Sequence, residues 1–283
     1  MLSLEWHTFK PLDTQKLSDV KQQFHLALQN VAAVGRKFLE HSDNDENATL
    51  TWIPGLSRLA GKWIEGNVRF RSSISFDDFS IYLVDERVNT ISSFSVVGKT
   101  HRQIMIWLEE QIGKLQLQAS DLTLNLPYKI QDSPQLNGEK FQANDPDVTM
   151  ELMKYFHNTF KVLREFKKSR ELNSEVYVWP HHFDEALTVM IKDTGDPETN
   201  STITLGMSPG DESIQEPYFY VSTWPHVLTS QLPLLENGAI WVEEEWTGSV
   251  FLSSELIKKK NQEEIIVNYF EKAFSSLFQS LKD

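Results

Sequence analysis

Apolar residues recur at Leu17, Val20, Phe24, Leu28, Val31, Val34 and Phe38, a helical spacing of about 3.6 residues that paints one face of residues 14–41. A chain with so long an apolar stripe must bury it, and short runs rich in β-branched and aromatic residues supply the surface. Runs at 68–71, 79–84 and 91–97 read as strands, after a Trp52-Ile53-Pro54-Gly55 turn and a short segment ending near Trp63. Thr100 with Gln103 forms the pattern of a capping box and starts a helix to about Leu115. A strand is expected at 122–126, and the polar stretch 132–145 reads as a boundary.

The second half repeats this order. Asp145-Pro146 combines an N-cap acceptor with a proline at the first helical position, and Leu152, Phe156, Phe160 and Leu163 share the face that follows. Strands are predicted at 175–179, 183–191, 202–207, 218–223, 239–243 and 248–252. Asn261 with Glu264 should then cap a last helix carrying Ile265, Ile266, Tyr269, Phe270, Phe274, Leu277 and Phe278. Each half has a Phe-His pair on its long helix (Phe24-His25, Phe156-His157) and a Trp-Pro turn after it. The fold class is therefore α+β, with antiparallel sheets packed against long amphipathic helices in two pseudo-repeated halves, 1–131 and 145–283, which can also form one continuous domain.

Composition closes off several function classes. Lys+Arg 27 against Asp+Glu 40 gives a net charge of -13, which opposes nucleic acid and anionic membrane surfaces. The one short basic run, Lys258-Lys259-Lys260, reads as a solvated connection. Absence of cysteine removes disulfides, thiolate nucleophiles and iron-sulfur ligation, so any metal must sit on His and carboxylates. No basic leader precedes an apolar run near Met1, and no eighteen-residue apolar stretch occurs, so a cytoplasmic protein with no membrane partner is expected. Asn47-Ala48-Thr49 and Asn200-Ser201-Thr202 match the glycosylation pattern but carry little meaning without a secretory signal.

Two motifs fail on mechanism. Gly206-Met207-Ser208-Pro209-Gly210 has the spacing of a nucleophile elbow, yet Pro209 has no N–H for an oxyanion hole, and a type II turn with Gly210 at positive φ fits better. Gly98-Lys99-Thr100 ends like a phosphate loop, but Ser93 stands where its first glycine belongs. Neither a nucleotide signature nor a zincin motif is present.

What remains is the stretch 179–216. Trp179-Pro180-His181-His182-Phe183-Asp184 packs two imidazoles and a carboxylate beside an indole. Strand parity places His182 and Asp184 on one face, a pair able to ligate a metal or to do acid-base work. The plainer alternative has these side chains bonding the backbone of the turn that Pro180 forces, with His181 pointing away. Asp211, Glu212 and Glu216 supply a second acidic group. Tyr218, Tyr220 and Trp224 alternate along a strand and can wall a pocket or simply be buried. The catalytic candidates are thus His182, Asp184, Asp211 and Glu212; the ligand-binding candidates are Trp179, His181, Tyr218, Tyr220 and Trp224; the metal candidates are His182 and Asp184. Glu243-Glu244-Glu245 reads as a solvated strand end with a divalent cation as the minor alternative. His25, His101 and His157 read as polar-face or satisfied core histidines.

Trp179 to Asp184 with Ala186, Gly206 to Gly210, and Pro217-Tyr218-Phe219-Tyr220 ending at Trp224-Pro225 together resemble a family of bacterial conserved proteins of unknown function. The likeness extends weakly to Phe24-His25 with Gln29 and to Phe76-Asp77-Asp78-Phe79. It implies a shared fold and a shared site region, with no substrate or cofactor to lend. Relatives of this pattern often carry a small residue where His181 or His182 stands, against a paired-histidine site. Two readings of function follow: a small-molecule site, binding or enzymatic, in 179–216, or a non-enzymatic interaction or assembly protein, for which a homo-oligomer is one form.

Overall fold

The computed structural model describes residues 4–11, 13–196, 198–243 and 246–282, so Glu244 and Glu245 of the acidic triplet lie outside the described residues. Among the described residues the protein is a mixed α+β fold with antiparallel strands, and no helix is long and apolar enough to cross a membrane. The chain forms two compact units. The first comprises Gln15–Met153 and Tyr177–Phe183; the second comprises Met1–Thr14, Lys154–Val176 and Asp184–Asp283.

The first unit is built on α1 (Thr14–Phe38). Its early turns bury Leu17, Val20 and Phe24, as the stripe predicts. From Leu26 to Gly35 every residue is buried, Gln29 and Asn30 included, so this half of the helix is enclosed on all sides. Strands β1 (Leu50–Ile53), β2 (Arg58–Gly61), β3 (Phe70–Ser75), β4 (Ser80–Asp85) and β5 (Thr90–Ser95) form an antiparallel meander. The first two of these occupy the stretch where sequence indicated a turn and an unassigned segment. Each has only four residues, too few for periodicity to register. Helix α2 (His101–Lys114) starts with the predicted box: the Gln103 amide donates to Thr100 Oγ1 at 3.3 Å and the Thr100 amide to Gln103 Oε1 at 3.0 Å.

Residues 122–126 do not form a strand. Exposure does alternate there, with Leu122, Leu124, Leu126 and Tyr128 half-buried between exposed neighbours, but no strand pairs with them. Alternation encodes an extended segment with one face inward, and that is all it encodes.

Helix α3 (Pro146–Ser169) begins at the predicted cap, Asp145 Oδ1 accepting from the Asp147 and Val148 amides at 3.0 and 3.4 Å. Strand β6 (Val176–Trp179) then pairs with β1 through Leu50 and Val178. In the second unit β7 (Asp184–Lys192), β8 (Ser201–Ser208), β9 (Tyr218–Trp224), β10 (Ile240–Val242) and β11 (Gly248–Leu252) form an antiparallel sheet in the order β10-β11-β9-β8-β7. A short α4 (Ser253–Leu256) leads to α5 (Gln262–Ser280). Asn261 does not cap that helix as expected; its amide turns to Glu264 Oε2 at 3.2 Å instead. Phe219 of β9 packs edge-on against Phe270 of α5, with ring centroids 6.1 Å apart.

Glycine is required at one point where a helix normally prefers alanine. A Cβ on Gly35 would stand 2.3 Å from the Asn47 carbonyl oxygen, so α1 and the Asn47 backbone pack without a side chain between them. Gly35→Ala should therefore destabilise the protein by about 2 kcal/mol or more in denaturant unfolding, against the gain of about 1 kcal/mol typical of an exposed helical site. An unchanged or raised midpoint would refute the close approach.

Candidate functional site

The predicted stretch divides at the end of its turn: residues through Phe183 belong to the first unit and those from Asp184 onward to the second. The strand starts at Asp184 rather than Phe183, because Phe183 lies in the left-handed region at φ 59. Strand parity therefore does not reach His182, which sits in the turn. Positive φ in a bulky, fully buried aromatic is a strained conformation that its surroundings must enforce.

What enforces it is a hydrogen-bonded anchor. The Phe183 amide donates to the Trp179 carbonyl at 2.8 Å, closing the turn. From α1, His25 Nε2 and Gln29 Nε2 both donate to the Pro180 carbonyl, at 2.9 and 2.6 Å. Spacing of four places these two side chains on one helix face. The His25 ring also stacks on Phe183 with centroids 5.5 Å apart and planes 5° from parallel. Gln29 is held in turn by the Tyr128 hydroxyl at 2.8 Å, Tyr128 by Arg36, and Arg36 by both oxygens of Asp45, at 2.8 and 2.6 Å.

The anchored turn presents two imidazoles. His181 is half-buried between Tyr128 and Trp179, with ring centroids at 5.5 and 5.7 Å. His182 is exposed, its ring 4.3 Å from that of His181. Burial holds His181 down at about 4, assisted by His182 and Arg36 and opposed by Asp45. His181 is thus neutral at physiological pH and a weak base. Arg36, Tyr128, Gln29 and Asp45 were not singled out as site residues from sequence. The spacing of His25 and Gln29 was the one local signal, since Tyr128 and Asp45 reach the cluster only through tertiary folding.

In the second unit the polar candidates close on one another. The Tyr220 hydroxyl donates to Asp184 Oδ2, and the Tyr218 hydroxyl donates to Asp211 Oδ2 at 2.5 Å, the two tyrosine rings lying 6.1 Å apart. Burial first, then the adjacent carboxylates, push both phenols well above their ordinary range, so they act as donors. Tyr220 reaches Asp184 by lying across Gly206, where a Cβ would be 2.7 Å from its ring. That contact explains the first glycine of the elbow-like motif. Gly210 adopts φ 102 as the turn reading requires. Asp211 Oδ1 accepts from the Ser213 and Ile214 amides, both at 2.8 Å, and Glu216 accepts from the Ser253 and Ser254 hydroxyls and the Ser254 amide at the start of α4. Glu212 is exposed, while Trp224 is 41% exposed and donates to the Glu198 carbonyl at 3.3 Å. The loop also walls a groove of about 470 Å³ whose floor is Ile240, Val242, Val250 and Leu252.

One buried acid stands apart. Glu185 is fully buried with no side-chain hydrogen-bond partner, and burial, opposed by the Phe160 backbone and assisted by Asp184, raises its pKa well above the carboxylate range. Among the described residues no group of three or more His, Asp or Glu side chains is placed to hold a metal.

Fold and site together define an α+β protein with a strained, doubly anchored histidine turn. Compared with known proteins, the chain matches no family model, no curated protein and no solved structure.

Three histidines are held at about 4 in the folded protein: His25, His101 and His181, each chiefly through burial. The unfolded chain therefore binds more protons between about pH 4 and the ordinary histidine value near 6.5, and stability rises with pH across that window. Stability is complete above about pH 6.5 and falls as pH drops toward 4. His101, 7% exposed and bonded to Asn30, carries the clearest share, on the order of 2–3 kcal/mol. Urea midpoints measured from pH 7 to 4 should fall steeply in the native protein and less steeply in His101→Gln. Equal slopes would contradict the assignment.

Proposed function

We propose that the protein binds a small planar molecule bearing a negatively charged group, seated on the His181–His182 turn. The carrying observation is the turn itself. A buried aromatic is held at positive φ, and two helix side chains are committed to one carbonyl, with His181 set half-buried between Tyr128 and Trp179 and His182 exposed beside it. Strain enforced in this way collects at binding and catalytic sites. Arg36 lies close enough to act on His181 electrostatically, and the one carboxylate that also does so, Asp45, is committed through both oxygens to Arg36. Binding is favoured over acid-base catalysis because a base near 4 is poorly matched to proton transfer at neutral pH.

The family of bacterial proteins of unknown function is retained as part of this proposal, on the Trp179 to Asp184 motif together with His25 and Gln29, which touch that motif. So is the pseudo-repeat of long amphipathic helices. Its support is that in each unit the histidine after a buried phenylalanine bonds a backbone carbonyl, His25 that of Pro180 and His157 that of Glu5 at 3.0 Å. We place the protein in the cytoplasm and away from nucleic acid, on its lack of cysteine and its charge of -13.

Benzoate is a suitable first probe, followed through the imidazole NMR resonances of the eight histidines. Saturable shifts should appear at the His181 and His182 imidazoles and at the amides of the flanking Tyr128 and Trp179, stay small at His101, and vanish at Tyr128 and Trp179 in the His181→Ala/His182→Ala variant. Shifts unchanged in that variant, or none at all from benzoate and related planar anions, would overturn the proposal.

A second reading has its own observation. Ile240 on the edge strand β10 is 56% exposed beside the apolar floor of the groove, a surface suited to a second copy of the chain. On this reading light scattering finds a dimer that Ile240→Glu converts to monomer. A native monomer would exclude it.

A further inference from the structure

The second unit holds another concavity, far along the chain from the histidine turn. It has a volume of about 400 Å³, within the range of small-molecule sites, and lies between the loop before β10, strand β11 and helix α5. Its floor is apolar and aromatic: Phe251, Ile265 and the ring of Tyr269. The Tyr269 hydroxyl turns away to the Ser249 and Phe219 carbonyls at 3.0 and 3.3 Å, which leaves the ring toward the pocket.

The rim carries two carboxylates of unequal commitment. Glu271 is clasped by both terminal nitrogens of Arg170. Glu236 makes a single contact, to Lys272 Nζ at 2.7 Å, and is 75% exposed. A lone exposed ion pair contributes little net free energy and exchanges readily. Lys272 therefore already shows what the position accepts: an ammonium group on Glu236, at the rim of an apolar concavity.

The rim is also held in place. The Ala239 amide donates to the Glu236 carbonyl at 3.1 Å across Asn237 and Gly238, at φ 59 and 100, the pattern of a type I′ turn. Trp241 Nε1 bonds the Pro233 carbonyl at 2.9 Å and closes the other end of the loop. A rim fixed in this way loses little conformational freedom on binding.

We propose that this pocket is a binding site for a small organic cation, an ammonium group on an apolar or aromatic body, with Glu236 taking the ammonium from Lys272 and the half-buried Leu235 and Ile265 taking the body. The charge of the whole protein, -13, draws the same class of ligand.

The test compares benzylamine with benzyl alcohol, its neutral counterpart of similar shape, by amide chemical shifts in the native chain. Benzylamine should shift residues 235–238 and Tyr269 saturably, and benzyl alcohol should bind more weakly. Glu236→Gln should weaken benzylamine by about fivefold, the scale of one exposed ion pair, whereas Lys272→Met should tighten it by roughly the same factor by removing the internal competitor. A purely structural ion pair predicts no tightening. Equal binding of amine and alcohol, weaker binding in Lys272→Met, or no shifts from benzylamine would each overturn the proposal.

Discussion

The carbonyl of Pro180 is the constraint on which the candidate site depends. A buried carbonyl must find donors, and a tight turn built on proline offers few of its own. Here α1 supplies two, His25 and Gln29, one turn apart on the same face, and together they fill both lone pairs of one oxygen. Phe183 then has little freedom: its amide is bound to Trp179, its ring is covered by His25, and positive φ is the conformation left to it. The next residue begins β7.

The second unit treats its polar groups differently. Asp184, Asp211 and Glu216 each accept from a donor supplied by the fold itself, a phenol, a loop amide or a helix start. Carboxylates so occupied stabilise the loop and strand ends more than they offer chemistry. Glu185 solves the same problem by the other route. It has no side-chain donor, and burial drives its pKa up, since burying the neutral acid costs far less than burying the charge.

Local rules were legible where a residue acts on its own neighbourhood. Thr100 with Gln103, and Asp145, do what their side chains dictate within four residues, and Gly210 takes the positive φ expected of it, although the Asp211 amide bonds the Ile214 carbonyl rather than closing back on Ser208. Legibility failed where the partner is remote. The alternation of 122–126 marks an extended segment correctly but cannot say whether a strand lies beside it. The stripe on α1 predicts one buried face, while enclosure from Leu26 to Gly35 depends on elements far along the chain. His182 and Asp184 were placed on one face by assuming a strand through Phe183; a backbone dihedral, invisible to periodicity, separates them.

The hydrogen-bond chain through the first unit also fixes protons. Asp45 only accepts, so Arg36 donates to it and to Tyr128; Tyr128 must then donate to Gln29, whose amide nitrogen donates to Pro180. A carbonyl cannot donate, so neutral His25 must carry its proton on Nε2, and the same reasoning fixes His157 against Glu5. Both imidazoles are thereby committed to backbone acceptors and cannot change tautomer without losing a bond. His181 and His182 carry no such commitment to a carbonyl acceptor in the turn they occupy. In the first unit the helical His25 thus acts as a fixed donor that holds in place the turn carrying the other two.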